Sequence, residues 1–596
     1  MRTPIRGEAA PEDWRQIANG WEIPAESYCD QPYIVQASDG AWVCVMTTGA
    51  GREGQPGQHI VARRSMDQGR SWSAPIDVES AEGPESSYAV ALRTPYGRIY
   101  CFYNHNSDNL RWVKADPLAY KDGKCARVDT LGYYVFKYSD DGGRTWSAER
   151  HVVPVREFAI DRENEYGGRI RFFWNVGRPF THRGAAFLSL HKVGGFGYGF
   201  MRRSEGVLIR SDNLLTERDP ERLRWETLPE GDAGLRAPEG GGWIAEEHSY
   251  SVLSDGAFFC VYRTIAGHPA WSISRDEGRT WTPPAYLRYG DGRLVRHPRA
   301  ANFAWKLSNG KFLYWFHNHG GAWYEDRNPA WVLAGAEADG PDGREIRWSQ
   351  PEILLYDDDP FIRMSYPDLV EENGRCFVSE TQKSIARVHA IPAAFLDGLC
   401  RQFDELVLPA EAPLIEWSAD GVAREIEAPL LPEFARRGAK RADYGTEQTR
   451  AGFSICLRAR FGSLAPGQIL LDNRTAAGQG FAVRTTERET VELVMNDGRS
   501  ESRWDCDPGA IEAQTIRHLA ILVDGGPRIA SFVVDGRFCD GGDFRQFGWG
   551  RFSPWLRHAN GGKTLRLAPA FEGELLEVRI YGRALAVFEA IGDMNR

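Results

Sequence analysis

The chain has 596 residues and a formal net charge of −10, with its acids scattered rather than clustered. That balance argues against a nucleic-acid partner, no run of 18 apolar residues offers a membrane-spanning helix, and the length exceeds one ordinary hydrophobic core. Aromatic residues make up 12%, with 20 Trp and 63 Gly, a composition that suits short strands and tight turns better than long helices.

The N-terminal stretch "MRTPIRGEAAPEDWRQIANG" has no apolar leader. The expectation is a cytoplasmic protein, or an exported one whose leader has been removed. From about residue 33, paired apolar strands follow one another through Asp-Gly, Asn-Gly or similar turns: "YIVQASDGAWVCVMT", "YAVALRTPYGRIYCFYN", "YSVLSDGAFFCVYRT", "NFAWKLSNGKFLYWFHN" and "PDLVEENGRCFVSET". Between them one pattern recurs, Ser-x-Asp-x-Gly-x-Ser/Thr-Trp, at Ser65–Trp72, Ser139–Trp146 and Ser274–Trp281. An Asp capping backbone amides and a Gly supplying positive φ make it a turn, and its Trp packs between sheets. "RSDNLL" (210–215) and "IRWSQP" (346–351) read as worn copies. A supersecondary unit recurring in this way predicts radial sheets, and five visible units predict six blades, the last closed by strands from both ends of the domain.

A short helix is expected in "IPAAFLDGLCRQF", then a Pro-rich connector near Leu408–Pro413. Beyond it the turns stop and alternating antiparallel strands continue to the C-terminus, as a β-sandwich would. The expected fold is all-β: a six-bladed β-propeller over 1–405, followed by a jelly-roll-like β-sandwich over 406–596. The ten Cys show no framework spacing and lie in apolar runs such as "AWVCVM", as buried thiols do. No Cys/His cluster suggests a metal. No cofactor is expected; structural calcium could be held only at "VDGG" or "CDGGD", which read better as turns.

On the turn repeat and the strand pattern, residues 25–390 resemble the sialidase superfamily, propellers that carry these Asp-box (BNR-repeat) turns. The resemblance implies site residues one by one. Tyr366, in "YPDL" after the lead-in "WSQPEILLYDDD", matches the family's nucleophilic tyrosine, with Pro367 where Ser is usual. Arg327 in "DRNPAWVLAG" matches an arginine of the carboxylate-binding triad. "IAEEHSYSVLSDGAFFCVYR" matches the segment holding a glutamate and another triad arginine, which implies Glu247 or its neighbour Glu246, and Arg263. The remaining arginine is missing. In "SYCDQPYIV" Asp30 stands in its place, and the following loop "TTGAGREGQPGQHIV" offers Glu53 and His59 as acid/base candidates but no Asp. An Asp at that position would repel a sialic-acid carboxylate.

The chemistry of the pair is coherent. A phenol is a weak nucleophile at neutral pH, a nearby carboxylate can take its proton as it attacks, and a neutral tyrosine approaches an anionic anomeric centre without repulsion. Catalytic candidates are therefore Tyr366, Glu247, Asp30 and His59. His105, His191, His317, His319 and Arg299 sit at strand ends of successive units and would converge on a propeller mouth, where Arg263, Arg327 and Glu246 would join them in binding substrate. The leading reading is an exo-acting, retaining glycoside hydrolase that removes a terminal sugar other than sialic acid from an oligo- or polysaccharide. The alternatives are a polysaccharide lyase that uses His or Tyr for β-elimination on a uronic-acid glycan, such as a rhamnose–glucuronate polymer, and a non-catalytic glycan-binding protein. "RHLAILVDGGPRIASFVVDGRF" and "FEGELLEVRIYGRAL" resemble laminin-G or concanavalin-like sandwiches, which implies glycan binding or bracing of the first domain. The oligomeric state is not legible.

Overall fold

The computed structural model describes residues 13–127, 129, 131–419, 424–437 and 446–596; the N-terminal reading at residues 1–12 lies outside them. The chain forms two compact units, one of residues 17–348 and 359–395, the other of 349–358 and 396–596 with the first residues of the chain. Segment 349–358, expected within the first domain, thus groups with the C-terminal unit.

Among the described residues, the first unit holds six larger antiparallel sheets in chain order and two two-stranded ones. Blade one is Tyr28–Gln36, Trp42–Gly49, His59–Ser65 and Ile76–Asp77. Blade two is Ser86–Arg93, Ile99–His105, Tyr133–Ser139 and His151–Val152. In blade three the innermost strand is broken into Phe172–Trp174 and Phe180–His182, both paired to Ala185–Val193, followed by Ser204–Ser211 and Glu226–Leu228. Blade four is Glu246–Val252, Phe258–Arg263, Ala270–Ser274 and Ala285–Tyr286; blade five is Phe303–Lys306, Phe312–Phe316, Ala330–Gly340 and Gly343–Trp348. Blade six, Ser365–Glu372, Arg375–Thr381 and Ala386–Ile391, takes its outermost strand from Trp21–Ile23 near the start of the chain. The innermost strand of blade one packs against those of blades two and six, so the ring closes.

Alternation puts one side chain of each pair toward the preceding blade and the next toward the following one, and the core lies between blades. Val43, Val45 and Ile60 of blade one pack with Ala91, Cys101 and Val135 of blade two. Trp42 and Met46 pack with Phe377 and Val388 of blade six.

The three repeat turns join the third and fourth strands of blades one, two and four and make the same hydrogen bonds. In the last copy Ser274 Oγ (2.8 Å), Thr280 N (2.9 Å) and Thr280 Oγ1 (2.6 Å) all donate to the Asp276 carboxylate, and Gly278 N donates to Ser274 Oγ (2.8 Å). Segment 210–215 keeps the position and part of the pattern, with Ser211 Oγ accepting from Leu214 N. Segment 346–351 does not: it begins within the outermost strand of blade five.

The second unit is a β-sandwich. Its first sheet runs Ile415–Ser418, Gly573–Tyr581, Phe453–Phe461, Ile516–Asp524, Ile529–Val534 and Arg537–Phe538, with Gly550–Arg551 beside Ile529–Val534. The second runs Glu425–Glu427, Thr564–Ala570, Ile469–Asp472, Gly480–Thr485, Val491–Asn496 and Glu501–Asp505. Phe453, Ile455, Leu471, Phe481, Leu493, Ile521, Phe532 and Val578 fill the space between them. The expected helix forms at Ala393–Arg401, and all ten cysteines are free thiols.

In this unit Glu352 is buried and accepts from Phe588 N at 2.9 Å at the start of the helix Val587–Asp593. Burial pushes its carboxyl up from 4.5 to about 8. A carboxyl with a folded value above its unfolded one contributes fully below the unfolded value and loses that contribution as pH rises through the folded one. Glu352→Gln should therefore gain stability relative to the parent between about pH 5 and pH 8.5, read by denaturant unfolding at each pH.

Candidate functional site

Innermost strands begin at one mouth of the hub, and second strands return to it. Residues at the start of the first and the end of the second strand therefore meet there. In four blades the innermost strand breaks register just inside this end, between Asp30 and Tyr33, Ser87 and Val90, Glu246 and Ser249, and Ser365 and Asp368. Each break holds one non-glycine residue in the left-handed region: Gln31 (φ 53°), Tyr88 (φ 62°), Glu247 (φ 57°) and Tyr366 (φ 47°). A bulge re-aims the side chain that a regular strand would send into the sheet, and positive φ at such residues is a strain that the surrounding structure must hold in place.

Two of these residues meet. Tyr366 Oη donates to Glu247 Oε1 at 2.8 Å, with both residues buried. Burial and the adjacent carboxylate hold the phenol well above its ordinary range. Burial also raises Glu247 above 4.5, against the pull of Arg263. Its neighbour Glu246 behaves oppositely. Although burial would raise it, Arg299 and Arg263 hold it down to about 2. Glu246 Oε1 accepts from Arg299 Nη2 (2.5 Å), and Oε2 accepts from Arg263 Nε (2.8 Å) and Arg299 Nε (3.2 Å). Arg263 Nη1 lies 2.8 Å from Glu247 Oε2. The two consecutive glutamates thus differ: Glu246 is held ionised by two guanidinium groups, and Glu247 accepts the hydrogen bond of the phenol.

Arg327 Nη1 donates to Ser365 Oγ (2.7 Å), on the residue before Tyr366, and its Nε donates to Tyr324 O (2.8 Å); its charge acts on the Tyr366 phenol. Arg299 Nη1 donates to Gly199 O (2.7 Å), which also accepts from Tyr324 Oη (3.0 Å). His191 supports the pair from behind, its Nδ1 accepting from Glu247 N at 3.4 Å while its ring stands edge-on to Trp174; burial lowers it to about 3.

Asp30 is fully buried, but it is not a bare charge. Its Oδ2 accepts from Lys383 Nζ (2.6 Å) and Tyr28 Oη (2.9 Å), and its Oδ1 from Gln31 N (3.0 Å). Lys383 also lies 3.3 Å from Glu53, which pairs with Arg127 at 3.1 Å, and Arg127 pairs in turn with Asp129, the acceptor for Tyr88 Oη. Sequence reasoning missed Lys383, Arg127, Asp129 and Tyr324. Lys383 could have been found, since "TQKSIA" joins the second and third strands of blade six at the mouth end.

The other histidines bond elsewhere. His59 is tied through Nδ1 to Gly57 O (3.1 Å), with Nε2 3.5 Å from Glu26. His105 Nδ1 is 2.7 Å from Ser107 Oγ, His317 Nδ1 is 3.2 Å from Pro329 O, and His319 Nε2 is 2.9 Å from Asp326 O. Burial lowers His105 and His319 to about 4 and His317 further in the same direction, so all three are neutral at pH 7.

Deeper in the hub, Asp368 accepts from Ile34 N (2.8 Å) and Arg178 Nη1 (3.1 Å). Beyond this belt a cavity of about 610 Å³ is lined by all six blades, including Leu92, Phe180, Tyr250 and Trp305.

No family model and no curated protein matches the sequence. Among solved structures, a protein of unknown function from Dyadobacter fermentans is 16% identical over 62% of this chain and 98% of its own, with a TM-score of 0.44. The intramolecular trans-sialidase of Ruminococcus gnavus, solved with oseltamivir carboxylate, is 14% identical over 63% of this chain and 96% of its own, with a TM-score of 0.43. A Trypanosoma rangeli sialidase, solved as a covalent intermediate with 2,3-difluorosialic acid, is 13% identical over 97% of this chain and 96% of its own, with a TM-score of 0.42. At these identities and scores the likenesses assign no role to any residue, and the architecture rests on the strand order.

Removing Glu246 would take the carboxylate from buried Arg299 and leave Arg263 with Glu247 alone. Glu246→Ala should cost about 3–5 kcal/mol of stability by denaturant unfolding, and Arg299→Met together with Glu246→Leu should cost markedly less than Glu246→Ala alone.

Proposed function

We propose that the protein is an exo-acting glycoside hydrolase that works from this mouth, with Tyr366 as nucleophile and Glu247 as its base. The observation that carries the reading is the 2.8 Å hydrogen bond between them, made by groups 119 residues apart in the chain. As Tyr366 Oη attacks the anomeric carbon, its proton passes to Glu247, the glycosidic C–O bond breaks, the departing oxygen takes a proton from solvent, and a glycosyl–tyrosine forms. Water then attacks the same carbon and gives up one proton to solvent, and Glu247 returns its proton to the phenol oxygen as it leaves. Arg263 and Arg327 bracket the pair, and Arg299 holds Glu246.

The proposed substrate is a terminal sugar other than sialic acid in an oligo- or polysaccharide. The support for this is Asp30, which stands where the family resemblance calls for an arginine and is already paired with Lys383. The proposed role of the β-sandwich is laminin-G-like bracing or glycan binding, and pull-down of the isolated propeller and the full chain on immobilised polysaccharides would separate the two.

The test is hydrolysis of a panel of 4-methylumbelliferyl glycosides, a sialoside included, and of plant and bacterial polysaccharides. Tyr366→Phe should lose about 10³-fold or more in kcat and Glu247→Gln about 100-fold or more. A 2-fluoro sugar with a good leaving group should add its glycosyl mass to the peptide holding Tyr366. Unchanged turnover in Tyr366→Phe would refute the nucleophile, cleavage of the sialoside alone would refute the substrate class, and a UV-absorbing unsaturated product would identify a lyase. Because burial raises Glu247 above 4.5, and a base acts only when ionised, kcat/KM should fall on the acid side with a midpoint above pH 4.5, a limb that Glu247→Gln should abolish.

A further inference from the structure

Lys383 has no part in the reading above beyond its pairing with Asp30. It lies in the turn between Arg375–Thr381 and Ala386–Ile391, in the left-handed region at φ 71°. The backbone around it is clamped on both sides: Lys383 N donates to Thr381 Oγ1 (2.9 Å), and Lys383 O accepts from Cys29 N (3.1 Å) in blade one. Its ammonium is held by Asp30 at 2.6 Å and Glu53 at 3.3 Å, and it stands 4.1 Å from the centre of the Tyr366 ring. Burial would weaken its charge, but the two carboxylates more than restore it, so it is a permanent cation.

A cation over a neutral phenol gains a modest cation–π attraction. Over a phenolate, whose charge spreads into the ring, it gains a Coulomb attraction that is several-fold larger in a site shielded from water. An interaction that grows as charge develops favours the step that develops it. In the proposed reaction that step is the departure of the phenol oxygen, when the bond pair of the glycosyl–tyrosine returns to Oη.

We propose that Lys383 is a positioning residue for the Tyr366–Glu247 pair, carried by the Asp30–Glu53 bridge to the face of the phenol, where it stabilises negative charge on Tyr366. This rests on the assignment of Tyr366 as nucleophile. It also gives Asp30 a use: the acid that replaces an arginine anchors a cation supplied from the opposite end of the domain sequence.

The other charged and titratable groups around Tyr366 are Glu247, Asp30, Arg263, Arg327 and Tyr33. Of these, Asp30 is paired with Lys383 and loses its counter-ion when Lys383 is removed. The experiment is a ¹⁹F NMR titration of the full chain with 3,5-difluorotyrosine at position 366, which brings the phenol into an accessible pH range. Lys383→Met should make the difluorophenol about tenfold less acidic, the order expected of one partly neutralised charge at this range. Asp30→Asn, which removes the lysine's counter-ion, should shift the titration in the opposite direction. A titration unmoved by Lys383→Met, in a protein whose unfolding curve is preserved, would overturn the proposal. So would an unmoved or reversed shift in Asp30→Asn, the arm to use if Lys383→Met does not fold. No turnover enters this readout. Absent hydrolysis with the shifts present would count against the glycosidase reading alone; hydrolysis with no shift would count against Lys383 alone.

Discussion

The hydrogen bond between Tyr366 and Glu247 depends on a backbone irregularity that two blades share. In a regular strand, alternation would bury each of these side chains in the layer between blades, as it does their neighbours. The bulges at Glu246–Ser249 and Ser365–Asp368 interrupt that alternation and hold both residues at positive φ, so that each points along the hub. Side chains of this size are uncommon in that region. The ring of packed blades supplies the rigidity that keeps them there, and the same device at Gln31 and Tyr88 extends around the mouth.

Burying this much charge requires matching it. Asp30, Glu53, Asp129, Glu246 and Glu247 are offset by Lys383, Arg127, Arg263, Arg299 and Arg327, every acid within ion-pair distance of a cation. The consequence for chemistry is a separation of proton affinities between adjacent residues. Glu246 has three guanidinium N–H donors and stays ionised. Glu247 has the charges of Arg263 and Arg327 nearby and a phenol, and burial dominates. In the proposed reaction, that separation would set the working base, Glu247, apart from a structural ion, Glu246.

The fold was legible in the sequence because its signals are local. Asp276 needs only Ser274 and Thr280, a few residues away, to close its turn, and Asn-Gly or Asp-Gly marks the inner hairpins of blades one, four, five and six. Tyr366, Glu247, Arg263 and Arg327 were singled out by their order and flanking residues, and they lie together in the first unit. What stayed hidden was geometry set by distant segments. His59, His105, His317 and His319 stood at the right ends of strands, but a polar residue at a strand end often bonds to its own turn, as all four do here. The partner of Asp30 lies 353 residues away in the last blade; its position in a mouth-end turn was legible, but the pairing was not. The worn copy at 346–351 had the composition of a turn, but it begins within an outermost strand.

The central claim is that the Tyr366 phenol oxygen bonds to the anomeric carbon and that water later displaces it from the opposite face. Two displacements preserve configuration. The direct measurement is ¹H NMR of the anomeric proton of the first sugar released from a cleaved aryl glycoside, recorded before mutarotation. The account predicts that the product has the configuration of the substrate; a product of inverted configuration would contradict it.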